Sequence, residues 1–203
     1  LVSFDLAGGD YSCDAIEFRA MTTALHTGPR SVLLSISDSD VAANSVIRTT
    51  VDVQPSCGNN ACIGIGINAE TVSVGGLNDV GGATANASNL RYSIVSGKPT
   101  GSVTNGFSSD SVFRTLEITG EGGNSIAGIG SHLNLVMNSA EGVQSFSGDM
   151  SSFNGSIDVE QGSLALASNN IHLGSVDVKQ GGSLVIGSGE NANVTAGGTI
   201  TNA

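Results

Sequence analysis

Tryptophan is absent from this chain and charge is scarce. Only 12% of the 203 residues are Asp, Glu, Lys or Arg, about half of what an ordinary globular domain carries. Aromatic residues make up 4%, and there are three Pro and three Cys. Basic residues are the scarcest class of charge: seven Lys and Arg stand against 18 Asp and Glu, a formal net charge of −11. Affinity for nucleic acid comes from clustered Lys and Arg at phosphates, and no such cluster exists, so no nucleic-acid partner is expected. Anionic membrane surfaces are disfavoured on the same ground, and the charge itself keeps a chain of this kind soluble. No apolar run reaches the ~18–20 residues of a membrane-spanning helix. The chain opens on Leu1 with no signal-peptide pattern, which reads as a processed or excised fragment.

Glycine is abundant, with 29 copies, and 39% of the residues are hydrophobic. The mean hydropathy of +0.15 is incompatible with a disordered chain, which combines low hydrophobicity with high net charge. Many glycines among Ser, Asn and small aliphatics fit tight turns around a narrow, regularly stacked core.

The most informative stretch runs from residue 153 to residue 188. Gly155-Ser-Ile-Asp-Val-Glu-Gln-Gly162 realigns with Gly174-Ser-Val-Asp-Val-Lys-Gln-Gly181 at an offset of 19. One inserted residue, Gly182, then sets Ser163-Leu-Ala-Leu against Ser183-Leu-Val-Ile at an offset of 20. Each copy holds two short alternating segments around a Gly corner. Such a unit is too small to bury its apolar face alone and must stack on its neighbours, which predicts an all-β solenoid.

Residues 1–30 are the least repetitive and are expected to form an irregular N-terminal portion or cap. In the segment Asp14 to Leu25, the spacing of Ile16, Phe18, Met21 and Leu25 fits either a short helix or two strands. Residues 31–203 read as β throughout. Ala61-Cys-Ile-Gly-Ile-Gly-Ile67 alternates Ile with Gly, as on a crowded strand that another backbone approaches; with no helix after it, Gly64-Ile-Gly66 is not a nucleotide loop. The small, polar stretch 75–89 is the expected loop excursion. Strands ~4.8 Å apart over eight to ten levels predict a rod about 40–50 Å long.

No residue set carries catalytic, cofactor-binding or metal-ligating chemistry in this reading. His26, His132 and His172 are scattered, the last two expected to face solvent. Asp158 and Asp177 occupy equivalent repeat positions and should stack, with Glu160 and Lys179 beside them relieving the charge. No calcium loop surrounds them. Asp38-Ser-Asp40 reads as a turn, and Asn86, Asn154 and Asn193 have glycosylation-acceptor spacing that an Asn- and Ser-rich chain produces by chance. Cys57 and Cys62 enclose a small Gly/Asn loop and form either a disulfide, in an oxidising compartment, or two free thiols. Cys13 is left over and is expected to be a small buried residue.

The pattern Phe153, Gly155, Val159, Gly162, Leu164, Leu166 resembles the passenger-associated transport repeat of Gram-negative autotransporters. A second copy matches at Gly174, Val178, Gly181, Leu184 and Ile186, with His172 where the aromatic would stand. The match covers roughly the last quarter of the chain. It implies a right-handed parallel β-helix exported through the periplasm and a C-terminal membrane barrel (type V secretion) to the bacterial cell surface or medium. It further implies a non-catalytic passenger segment: an adhesin, aggregation or virulence factor that binds a host-cell or matrix receptor or a neighbouring cell. The alternatives are the receptor-binding portion of a secreted toxin, or a β-helix polysaccharide-degrading enzyme, whose clustered acids and sugar-stacking aromatics this chain has little of.

Overall fold

A computed structural model describes the chain apart from residues 1, 9–10, 12, 23–29, 54–60, 82–89, 103–105, 109, 169, 188–192 and 203. The described residues contain strands and turns and no helix. Successive strands in the first half alternate between two sheets. Strands β1 (Val2–Leu6), β3 (Arg30–Ile36), β5 (Ala61–Ile67) and β7 (Leu90–Ser96) belong to one. Strands β2 (Ala15–Thr22), β4 (Ala42–Val53) and β6 (Thr71–Gly81) belong to the other. After the small hairpin of β8 (Thr100–Ser102) and β9 (Gly106–Ser108), the second sheet continues through β10 (Arg114–Ile118) and β11 (Gly122–Ser125). The first sheet closes with β12 (Gly128–Ile129).

The second sheet then runs on through β13 (Leu133–Phe146), β14 (Ile157–Leu166), β16 (Val176–Val178), β17 (Gly182–Ile186) and β19 (Ile200–Asn202). Strands β15 (Asn170–Leu173) and β18 (Asn193–Ala196) pair as a short third row. Among the described residues every strand pairing is parallel except that of the β8–β9 hairpin. The described residues thus form an all-β stack built mainly of two open parallel sheets, with the β15–β18 row and the β8–β9 hairpin beside them. The longer one is eight strands deep along its main path, about 34 Å at ~4.8 Å per step.

Register explains the core. Val2 stands beside Val32, Arg30 beside Ala61 and Ala61 beside Leu90, an advance of 29 to 31 residues per level. Beyond β10 the advance shortens to between 19 and 24. The repeat copies pair Ile157 with Val176 and Leu164 with Leu184, at the same offsets of 19 and 20 that align them in sequence. Because side chains alternate faces, parallel register stacks identical phases into columns. One column is Val72, Leu116, Leu135, Ile157 and Val176, all at 3% exposure or less, and it ends on Ile200, which is 62% exposed. A single hydrophobic cluster fills the space between the sheets, each buried Leu or Ile contributing ~1.5–3 kcal/mol.

Of the two readings open for the segment after Asp14, the described residues show strand: Ala15–Thr22 is β2, with Phe18 buried against Phe4 of β1 at a centroid distance of 5.6 Å. Two expectations are corrected. Residues 75–81 are not loop but the second half of β6, with Leu77 only 1% exposed; residues 82–89 lie outside the described residues. The glycines there serve close approach, since a Cβ on Gly76 would collide with the Gly122 carbonyl. Cys13 is exposed rather than buried; it precedes β2, which among the described residues is the terminal strand of its sheet.

Candidate functional site

The repeat residues build scaffold. Phe153, Val159, Leu164 and Leu166 are buried to 1% exposure or less. Gly155 touches the level beneath it so closely that any Cβ would collide with the Leu133 carbonyl oxygen. Gly162 and Gly181 turn the corners with φ of 83° and 91°, a region open to Gly at no steric cost. Toward the C-terminal end Val178, Leu184 and Ile186 are only half-buried. They line a groove of about 400 Å³ with Val176 and Ile200.

On the outer face the same register lines up Ser73, Glu117, Val136, Asp158, Asp177 and Thr201. Polar side chains cross-link the levels. Glu117 accepts from Ser73 at 2.8 Å and from Asn138 at 2.9 Å, and Gln161 donates to Asn138 at 3.1 Å. Asp158 and Asp177 are adjacent. Partial burial, and then the Asp177 charge, push the Asp158 carboxyl above the ordinary Asp range, while Lys179 opposes the rise. Lys179 pairs with Glu160, and Thr201 donates to Asp177 at 2.7 Å.

His172 is exposed, its Nδ1 2.7 Å from the Thr195 hydroxyl. His132 differs from the solvent-facing expectation. It sits at a corner with φ of 59° and is half-buried, its ring edge-on to Phe113 at 4.9 Å; its backbone N–H donates to Asn154 Oδ1 at 2.7 Å. Among the described residues the two rings do not converge with any acid. Asp40 N–H meets Asp38 Oδ1 at 3.3 Å, the turn expected there. His26, Cys57, Asn86 and the side chains of Cys62 and Asn193 lie outside the described residues. Among the described residues no group of three His, Cys, Asp or Glu is placed to hold a metal ion.

The excursion that is described is the β8–β9 hairpin, and its base is tied. Ser96, fully buried, accepts a hydrogen bond from Arg114 at 2.8 Å, and Arg114 also pairs with Asp110. The Asp110 N–H returns to the Ser96 carbonyl at 3.1 Å, and Asp110 Oδ1 accepts the Val112 N–H at 3.1 Å. Arg114 thereby holds the Asp110 carboxyl below its ordinary range. Immediately beyond this knot Val112 and Phe113 project outward, 55% and 49% exposed.

Sequence reasoning missed the buried polar residues altogether. Strand β11 pairs in register with β13, at Gly123 beside Gln144, and among the described residues it has no ladder with β6. Side chains make that joint instead. Gln144, fully buried, receives the Leu77 N–H at 2.9 Å and donates to the Leu77 carbonyl at 3.1 Å. Asp79 accepts from Ser125 Oγ at 2.8 Å, from the Ile126 N–H and from the Thr49 hydroxyl. The Tyr92 hydroxyl, reaching across from β7, lies 3.2 Å from Thr49 Oγ1. The only signal in sequence was phase: Asp79 is two residues from Leu77 and Gln144 two from Phe146, both on the inward face. Comparison with family models, with curated proteins and with solved structures finds no match to this chain.

Proposed function

We propose that this chain is a right-handed parallel β-helix and a non-catalytic passenger segment of an autotransporter, displayed at or released from a bacterial surface, where it contacts a host or neighbouring cell. The observation that carries this reading is the repeat. The spacing Phe153, Gly155, Val159, Gly162, Leu164, Leu166 resembles that of passenger-associated repeats, and its two copies pair level on level. Right-handedness is supported by the strong preference of parallel crossovers for that hand. Within this reading the scaffold is the stacked core, and partner contact falls on the tethered excursion and on the exposed Val112 and Phe113 just beyond its base. Val112 and Phe113, adjacent and exposed beside that tied base, support this placement, since contiguous exposed apolar side chains mark interaction sites.

The test is binding of the purified chain to host cells, to matrix proteins and to bacteria expressing it. Val112→Ser with Phe113→Ser should abolish binding, while loss of the Phe113–His132 ring contact should lower stability by no more than ~1.5 kcal/mol. A chain that neither adheres nor promotes aggregation refutes the adhesive role, and undiminished binding by the double variant refutes its placement.

A further inference from the structure

We propose that Asp79 is a protonatable latch: its carboxyl closes the β6–β11 joint most tightly when it carries a proton, and the joint loosens as that proton leaves. The joint is a place where such control can act. Backbone ladders hold the neighbouring levels, whereas between β6 and β11 the bonds run through Gln144 and Asp79.

Among the described residues, no countercharge lies against Asp79. Thr49 comes from β4, Tyr92 from β7, and Ser125 with the Ile126 amide from the end of β11. Of these groups only Tyr92 titrates, and burial, then the nearby Asp79 charge, keep its phenol protonated well above its ordinary range. Arg48 neighbours Thr49 on β4 but, by strand alternation, lies on the opposite face. An ionised Asp79 is therefore a partly buried anion held by dipoles alone, a costly arrangement without a cation.

A proton, by contrast, fits without loss of a bond. Oδ2 keeps its donors, Ser125 Oγ and the Ile126 N–H. A proton on Oδ1 is accepted by the Thr49 oxygen, and the Thr49 hydroxyl hydrogen then turns to the Tyr92 oxygen 3.2 Å away. In line with this geometry, burial raises the Asp79 carboxyl above the ordinary Asp range, outweighing the hydrogen bonds from Thr49, Ser125 and Ile126. The sign follows from linkage. A carboxyl raised in the folded state contributes stability that is full below the unfolded value and lost as pH rises through the folded one.

The carboxyl carbon of Asp79, followed by NMR in the intact wild-type chain, is expected to titrate above the ordinary value of ~3.9. The Ile126 amide, corrected for intrinsic exchange, should lose about tenfold in hydrogen-exchange protection for each pH unit between that value and the folded midpoint. In Asp79→Asn this loss should vanish. A midpoint at or below the ordinary value, or Ile126 protection that stays flat or rises with pH in the wild type, overturns the proposal. Both readings use the wild-type chain and stand even if the variant fails to fold.

Discussion

Replacing Gln144 by leucine isolates the most unusual element of the stack, a side-chain amide that substitutes for a missing backbone ladder. The residue is fully buried, and its amide meets both the N–H and the carbonyl of Leu77, itself 1% exposed. Gly123, which stands beside Gln144 in the ladder, is what lets the two strands come so close: a Cβ there would lie 2.5 Å from the Leu77 carbonyl oxygen. Leucine has similar bulk, so little cavity forms. The two Leu77 backbone groups lose their partners, at ~1–3 kcal/mol each, and the added apolar burial returns ~1.5–3 kcal/mol. The ranges leave a net cost of about −1 to 4.5 kcal/mol, centred near ~2 kcal/mol, a substantial share of the ~5–15 kcal/mol that holds a typical domain together. Urea denaturation measures it as a lower midpoint at unchanged slope, and hydrogen exchange reports the Leu77 amide directly. Gln161→Leu, at an exposed site on the outer face, is the control and should stay within about 0.5 kcal/mol of wild type. An unchanged midpoint together with an unchanged Leu77 protection factor in Gln144→Leu would refute the reasoning.

Other outcomes follow from the same geometry. Phe153→Ala removes a fully buried ring and should cost ~3–5 kcal/mol by denaturant titration. A double-mutant cycle on Glu160 and Lys179, 35% and 47% exposed, should return less than ~1 kcal/mol and shrink further in salt. Asp110, held low by Arg114, contributes stability that is present above the unfolded Asp value and lost as pH falls through the folded one. Exchange at the Val112 amide should therefore accelerate in acid, relative to intrinsic rates, and Asp110→Asn should remove that dependence.

What could be read in the sequence was whatever repeats or alternates. The two copies after Phe153 share so many residues that their alignment and their ladder have the same offsets, 19 and 20. The Ile-Gly alternation of β5 likewise marked crowding: Ile63, Ile65 and Ile67 are buried, and a Cβ on Gly66 would collide with Gly97 and Pro99. The first half was harder to read because its levels advance by about 30 residues without resembling one another. Glycines that permit close approach look in sequence like glycines that make loops, so residues 75–81 were misassigned. Cys13 was misplaced because burial depends on whether another level lies above, which composition does not record. Asp79 and Gln144 left no signature beyond inward phase, since a lone polar residue becomes part of a network only once distant strands meet.

The central claim is that distant segments lie level upon level in register. Glu117 and Thr201 share the outer column, separated by four strand steps through Val136, Asp158 and Asp177. At ~4.8 Å per step their backbones should be about 19 Å apart. Spin labels at these two positions, read by pulsed dipolar spectroscopy, should give one narrow distribution near that distance. A broad distribution, or one centred beyond about 30 Å, a span greater than six such steps, would contradict the stack.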